Sequence, residues 1–185
     1  MRFKLFAVSL LPVVTTFASA DNTSCKKVVD VTDGSSFFCL VDTRKLVGVK
    51  LAKIETPTSR QPYGSVSRKA LSDLVLGKRV VIQVQATDQY DRLVGRVYVE
   101  NIDVNARMVS SGAAWTSRLY NLDEGLLNLE NRARKAKQGL WALPESERSP
   151  PWKWNETAQN KIREKEEPFA RTPSMLILPR INRSI

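Results

Sequence analysis

Val47-Gly48-Val49-Lys50-Leu51-Ala52-Lys53-Ile54-Glu55-Thr56-Pro57-Thr58, with Gln61-Pro62-Tyr63-Gly64 behind it, organises the chain. The first residues alternate as a strand does, the Thr-Pro pair halts the strand, and a helical pattern begins near Tyr63. A strand that ends on charged residues beside a proline turn is a natural platform for polar chemistry, because the strand holds rigid what the loop presents. Lys50, Glu55 and Thr58 are therefore the first residues to question.

The 185 residues suit one domain with a tail. Residues 1–20 read as an export signal: Arg2 and Lys4 supply the charged start, Leu5 to Phe17 the apolar run, and Ala18-Ser19-Ala20 the small-residue cleavage site. The run is interrupted by Pro12, Thr15 and Thr16 and falls short of the ~18 apolar residues of a membrane span. A periplasmic or secreted protein without a transmembrane segment is expected. Losing Arg2 and Lys4, and no acidic residue, takes the formal charge from +10 to +8, which favours an anionic partner. The chain has no histidine, so histidine triads, histidine-ligated zinc and histidine general bases are excluded. Carboxylate ligation of a hard metal remains open.

Lys26 to Val31 and Phe37 to Val41 flank the turn residues Thr32-Asp33-Gly34-Ser35, the pattern of a β-hairpin. A third strand covers Leu46 to Ile54, and a helix covers 63–76, closed by Gly77. Strands at Arg79 to Ala86 and Leu93 to Val99 flank the loop Thr87-Asp88-Gln89-Tyr90-Asp91-Arg92. A short helix runs through Met108 to Gly112, and a longer one is expected over 122–137, stopped by Gly139. Five strands with a helix between the third and fourth is the order of an OB-fold barrel, an α+β architecture with one inserted helix and two C-terminal helices. The domain is expected over 25–154, with a charged, flexible tail over 155–185. If Asp33-Gly34 is the hairpin turn, Cys39 faces position 29 and Cys25 lies ~13 Å further along the strand. A disulfide needs Cα atoms within about 7 Å, so a Cys25–Cys39 bridge requires the strand to bend.

From Val28 to Trp154 the chain resembles the thermonuclease (staphylococcal nuclease-like) family. The resemblance is carried by Val31-Thr32-Asp33-Gly34, Ile54-Glu55-Thr56-Pro57, Gln61-Pro62-Tyr63-Gly64, Asp88-Gln89-Tyr90-Asp91-Arg92, Gly139-Leu140-Trp141 and Pro151-Trp152-Lys153-Trp154, in the family's order. It implies an OB-fold phosphodiesterase that uses Ca2+ to cleave DNA and RNA. The implied chemistry is coherent: a hard cation on oxygen ligands polarises the phosphoryl group, a carboxylate activates water, and guanidinium forks hold the developing charge.

The resemblance carries the metal positions to Ser35, Glu55 and Thr56, and the catalytic positions to Lys50, Thr58 and Arg92. Ser35 stands where the family has an aspartate, and Glu55 keeps the charge on a longer arm. Thr56 falls where a backbone carbonyl serves. Lys50 replaces an arginine and loses its two-pronged fork. Thr58 replaces the glutamate that activates water and cannot act as a base near neutral pH. Arg92 is kept. Tyr63 and Tyr90 fall where the family lines its nucleotide pocket, either stacking on a base or packing at its rim.

Several residues carry two readings. Glu55 is a metal ligand or a surface carboxylate paired with Lys50 or Lys53, and Arg92 is a phosphate contact or a brace on the barrel. The Arg132, Arg134, Lys135 and Lys137 cluster is a solvated helix face or a phosphate track. The favoured functional expectation is a monomeric, exported nuclease-like protein with weak or no catalysis that binds single-stranded DNA, RNA or nucleotides. One alternative is an active Ca2+-dependent nuclease with a modified metal site. A second is a protein-interaction module whose tail, with its Met175-Leu176-Ile177-Leu178 patch, engages a partner.

Overall fold

The computed structural model describes residues 22–119 and 123–154. The expected export signal, the tail with Met175 to Leu178, and Leu122 of the expected last helix lie outside the described residues.

Strands β1 (Asn22–Cys25), β2 (Lys27–Val31), β3 (Ser36–Leu40) and β4 (Leu46–Leu51) open the domain, followed by the short β5 (Ile54–Glu55) and helix α1 (Gly64–Val75). Strands β6 (Val80–Thr87), β7 (Leu93–Val99) and β8 (Ile102–Asp103), helix α2 (Val104–Ser110), β9 (Trp115–Thr116) and helix α3 (Glu124–Lys135) complete it. Two short 3-10 turns, at Gly139–Ala142 and Glu145–Glu147, and a single helical turn at 151–154 follow α3.

The main sheet runs β1-β6-β7-β4-β3-β2, with β8 added to β7. Its two end strands are neighbours in the chain, separated only by Lys26. One bent strand thus pairs with β6 on one side and β3 on the other, and the sheet closes on itself as an OB-like barrel. β4 and β7 pair in parallel, and the other barrel pairs are antiparallel. Where five strands were expected, the main sheet has seven and a second sheet, β5 with β9, has two; β1 lies ahead of the first expected strand, and β5, β8 and β9 are short additions. The expected strand Leu46 to Ile54 divides into β4 and β5 at Ala52-Lys53, where Lys53 takes a φ of 61°.

The bend also decides the cysteines. The hairpin starts in the expected register, with Val31 opposite Phe37 and Asp30 opposite Phe38. A β-bulge between Val28 and Asp30 then shifts it, so Cys39 faces Val28 and not position 29. The chain turns at Lys26, and Cys25 comes back to a Cα–Cα distance of 6.0 Å from Cys39, with which it forms a disulfide. The ~13 Å separation expected of a straight strand is corrected by that bulge and turn.

Val28, Val31, Phe37, Val49, Leu51, Val80, Ile82 and Val97 fill the barrel, and Leu71 and Val75 of α1 close one end of the same core. A second cluster of Trp115, Ala133, Leu140 and Trp141 joins α3 to β9, with Trp152 packed edge-on against Trp115. The helices begin and end where local chemistry dictates. Asp103 and Asp123 cap α2 and α3 by accepting from the Ala106 and Leu126 N–H groups. Gly77 adopts φ +76° just beyond α1. No helix among the described residues is long and apolar enough to cross a membrane.

Candidate nucleic-acid cleft

A cleft of about 660 Å3 opens between the β4–β5 segment and the loop joining β6 to β7. Among its lining residues are Lys50, Lys53, Glu55, Asp88, Tyr90 and Arg92. Buried backbone bonding holds its floor. The Asn105 amide, 1% exposed, donates to the Ala52 carbonyl at 2.8 Å and accepts from the Val97 N–H at 3.0 Å, locking the end of β4 onto β7. Glu55 sits opposite Trp115 in the β5–β9 pair. β9 in turn is anchored by Glu130 of α3, which accepts from the Thr116 N–H at 2.9 Å. Glu130 is 1% exposed and is also met by Arg118 at 3.0 Å and by Arg134.

On the loop side Asp88 organises the whole turn. Its Oδ1 accepts from the Tyr90 and Arg92 N–H groups at 2.9 and 3.1 Å, and its Oδ2 takes the Arg92 Nε at 2.8 Å. Partial burial pushes the Asp88 carboxyl up, but the hydrogen bonds from Arg92 and Tyr90 outweigh it and hold it below the usual carboxylate range. Arg92 Nη2 completes a fork on Oδ2 at 2.8 Å, Nη1 reaches the Ser36 hydroxyl at 3.3 Å, and the guanidinium lies 5.4 Å from the Tyr90 ring centroid. Tyr90 is 69% exposed, so its ring face is open to a stacking partner. Sequence reasoning gave Asp88 no role. Its signal was the Asp at position i and Arg at i+4 of one loop.

Lys50, Glu55, Tyr90 and Arg92 of the sequence-derived set thus share the cleft. Lys50 Nζ stands 3.7 Å from Glu55 Oε2, both side chains being partly exposed. The other four residues do not line it. Ser35 and Thr56 are buried, and Ser35 gives both its N–H and its hydroxyl to Asp33 Oδ1, at 2.6 and 2.9 Å. The Thr58 N–H donates to Gln61 Oε1 at 2.8 Å in the turn before α1. Tyr63 stands at the N-cap of α1 with φ 69° and packs between the two apolar clusters, where burial raises its hydroxyl pKa.

Whether these residues suit Ca2+ is a question of donors. A calcium ion takes six to eight oxygens, and its affinity grows with the carboxylates among them. Of the three metal positions only Glu55 brings a carboxylate, and Lys50 faces it. The Ser35 hydroxyl is spent on Asp33, and Asp33 lines a separate groove of about 510 Å3 beside α1. No cluster of three or more His, Cys, Asp or Glu side chains able to hold a metal occurs among the described residues. This donor set does not fit a resident calcium ion.

An Escherichia coli O157:H7 protein named as an uncharacterized endonuclease is 40% identical over 129 residues, covering 69% of this chain and 82% of its own length. A second protein of that name, from Haemophilus influenzae, is 35% identical over 141 residues, 75% of this chain and 79% of its own. A Shigella flexneri protein named micrococcal nuclease is 34% identical over 145 residues, 72% of this chain and 82% of its own. Residues 46–143, which include the β4–β5 segment, the loop with Arg92 and helix α3, match the family described as staphylococcal nuclease homologue, and the chain belongs to that family.

Proposed function

We propose that this chain is an exported nucleic-acid-binding protein on a nuclease scaffold, with phosphodiester hydrolysis weak or absent. One observation carries the reading: the carboxylate at the family's metal position, Glu55, is paired with a lysine at 3.7 Å, and the other carboxylate lining the cleft, Asp88, is held by Arg92. Thr58 has no basic group to offer water, and general-base assistance is commonly worth about 10²–10⁴ in rate. What the cleft retains is the means to hold a polyanion. Arg92 and Lys50 supply positive charge for a phosphate, and Tyr90 offers a base a ring to stack on. The positive formal charge, +10 over the full sequence and +8 once Arg2 and Lys4 are removed with residues 1–20, adds long-range attraction. The Cys25–Cys39 bridge supports the export half of the proposal, since disulfides persist in oxidising compartments.

Hydrolysis is the competing reading, and it draws on the relatives named endonuclease and micrococcal nuclease. The two are separated by incubating the full chain with labelled single-stranded DNA and RNA, with Ca2+ and with chelator. Arg92→Ala and the triple variant Ser35→Asp, Lys50→Arg, Thr58→Glu run alongside. The expected result is binding at low salt without cleavage by the native chain, and Ca2+-dependent cleavage by the triple variant. Ca2+-dependent cleavage by the native chain that Arg92→Ala abolishes makes the protein an active nuclease and overturns the proposal.

A further inference from the structure

The outward face of the barrel beside the cleft has a composition that neither the nuclease chemistry nor the core requires. In β3, Phe37 and Cys39 point inward and are buried, which leaves Phe38 and Leu40 on the outside, each half-buried. In β4, Val49 and Leu51 are inward, which leaves Leu46, Gly48 and Lys50 outside. The register sets these residues in rows: Ser36 beside Lys50, Phe38 beside Gly48, and Leu40 beside both Leu46 and Lys27. Leu46 is 54% exposed, high for a large apolar side chain at a strand position.

This face is physically joined to the cleft. A Cβ added at Gly48 would stand 2.9 Å from Arg92 Cγ and 3.4 Å from Phe38 Cε1, so the stem of Arg92 lies over Gly48 beside the Phe38 ring. From Lys50 to Leu46 the face extends ~13 Å at strand rise, away from the cleft and onto Leu40 and Leu46. At that far end the exposed cations Lys27, Arg44 and Lys45 gather. Asp42 opposes them, but it is occupied in capping the Arg44 and Lys45 N–H groups. The other acid on the face, Asp30 opposite Phe38, is paired with Arg68 at 3.9 Å.

An aromatic ring, a flat glycine, the half-buried Leu40 with the exposed Leu46, and a cationic end form a stacking platform followed by phosphate contacts. Resting on the proposed function of the cleft, we infer that this β3–β4 face is a second binding surface, a track for the single-stranded polynucleotide that runs on from the cleft. Phe38 takes a base, Leu40 and Leu46 carry the next sugar and base, and Lys27, Arg44 and Lys45 meet the phosphates. The charge fits a polyanion, and the exposed apolar surface fits one whose bases are unpaired. A duplex hides its base faces and would leave Phe38 and Leu46 without a purpose.

The test is fluorescence anisotropy with the full chain in chelator at low salt, using labelled oligothymidylates of about 2 and about 12 nucleotides, lengths that fill the cleft alone or the cleft and track together. Leu46→Asp and the pair Lys27→Glu, Lys45→Glu alter only exposed side chains, and unchanged thermal midpoints verify their folding. Each is expected to weaken the longer oligonucleotide at least about tenfold and to leave the dinucleotide unchanged. The charge pair should also lower the salt slope of the longer ligand by about 0.7 for each phosphate contact removed. Phe38→Leu, which keeps an apolar side chain and removes the ring, should weaken the longer oligothymidylate and leave inorganic polyphosphate unaffected. Native-like affinity of these variants for the longer ligand overturns the track and leaves the cleft reading standing. Failure of the native chain to bind either length overturns both.

Discussion

Two carboxylates of this molecule, Glu55 and Glu130, sit at the two ends of one structural link and do opposite things. Glu130 is 1% exposed, accepts a backbone N–H and meets two arginines, so every oxygen has its partners inside the protein. Glu55 is partly exposed, lines the cleft and faces a single lysine at 3.7 Å, a separation that leaves room for another partner. The two are joined through β9, which Glu130 anchors and against which β5 pairs. A saturated, buried carboxylate is a structural tie, whereas a half-wet one with a loose partner is a group that a ligand can address.

The sharpest way to break this contrast is Glu130→Ala. It leaves the buried Thr116 N–H unpaired and removes the charge-assisted contacts of two partly exposed arginines, and it should cost about 3–5 kcal/mol of stability in urea denaturation. A loss below about 1 kcal/mol would mean that the tie contributes only as a surface ion pair does. Opening the disulfide with Cys25→Ser and Cys39→Ser together comes next. The bridge closes a loop with a sequence separation of 14, and chain entropy puts its loss at about 3 kcal/mol. The cleft is expected to keep its oligonucleotide affinity in the folded fraction, because the bridge pins the β1–β2 bend and not β4 or the 87–92 loop.

Acid should separate the regions further. Asp88, at the cleft, and Asp123, at the N-cap of α3, both titrate below their ordinary value of 3.8. For Asp123 burial raises the carboxyl, but the Leu126 N–H and the Arg96 guanidinium more than reverse it. A lowered folded-state pKa favours the folded protein when the group is charged, so this stability is complete above 3.8 and is lost as pH falls through the folded values. Asp123→Ala should cost about 1 kcal/mol near neutral pH from the lost cap and flatten the acid limb of stability against pH. An unflattened limb would remove Asp123 from the account. The smallest stability effect is expected for Glu55→Gln, within about 0.5 kcal/mol of native. Its affinity for single-stranded DNA should rise, because the cleft loses a negative charge. A fall in affinity would instead make Glu55 a ligand-holding group.

Much of the architecture was legible because local rules and tertiary demands agree. The helix expected over 63–76 occupies Gly64–Val75, and the one expected over 122–137 occupies Glu124–Lys135 within the described residues. α1 lies between Pro62 and Gly77, α3 runs from its Asp123 cap to just before Gly139, and the two turn Leu71 with Val75 and Leu126 with Ala133 inward to be buried. The site was legible only in part. Lys50, Glu55, Tyr90 and Arg92 are close in sequence to one turn or one loop, and they meet in the cleft. Tyr63 carried a family position, yet the fold spends its ring on packing between two apolar clusters. Glu130 gave no signal at all, since a glutamate in a charged helix looks solvated until β9 is laid against it.

From the sequence alone come the barrel with its helices, the family, the absence of histidine chemistry and the substitutions at positions 35, 50 and 58. These are matters of residue identity, period and order along the chain, which need no knowledge of what lies opposite. The tertiary structure alone decided that Cys25 reaches Cys39, that Glu55 pairs with Lys50, and that Phe38, Gly48 and Arg92 share an outer face. The reason is register. A bulge between Val28 and Asp30 and a turn at Lys26 bring the cysteines together, the turn at Lys53 sets β5 beside β4, and the β3–β4 register places Phe38 beside Gly48; pairing across strands is the information a linear pattern does not contain.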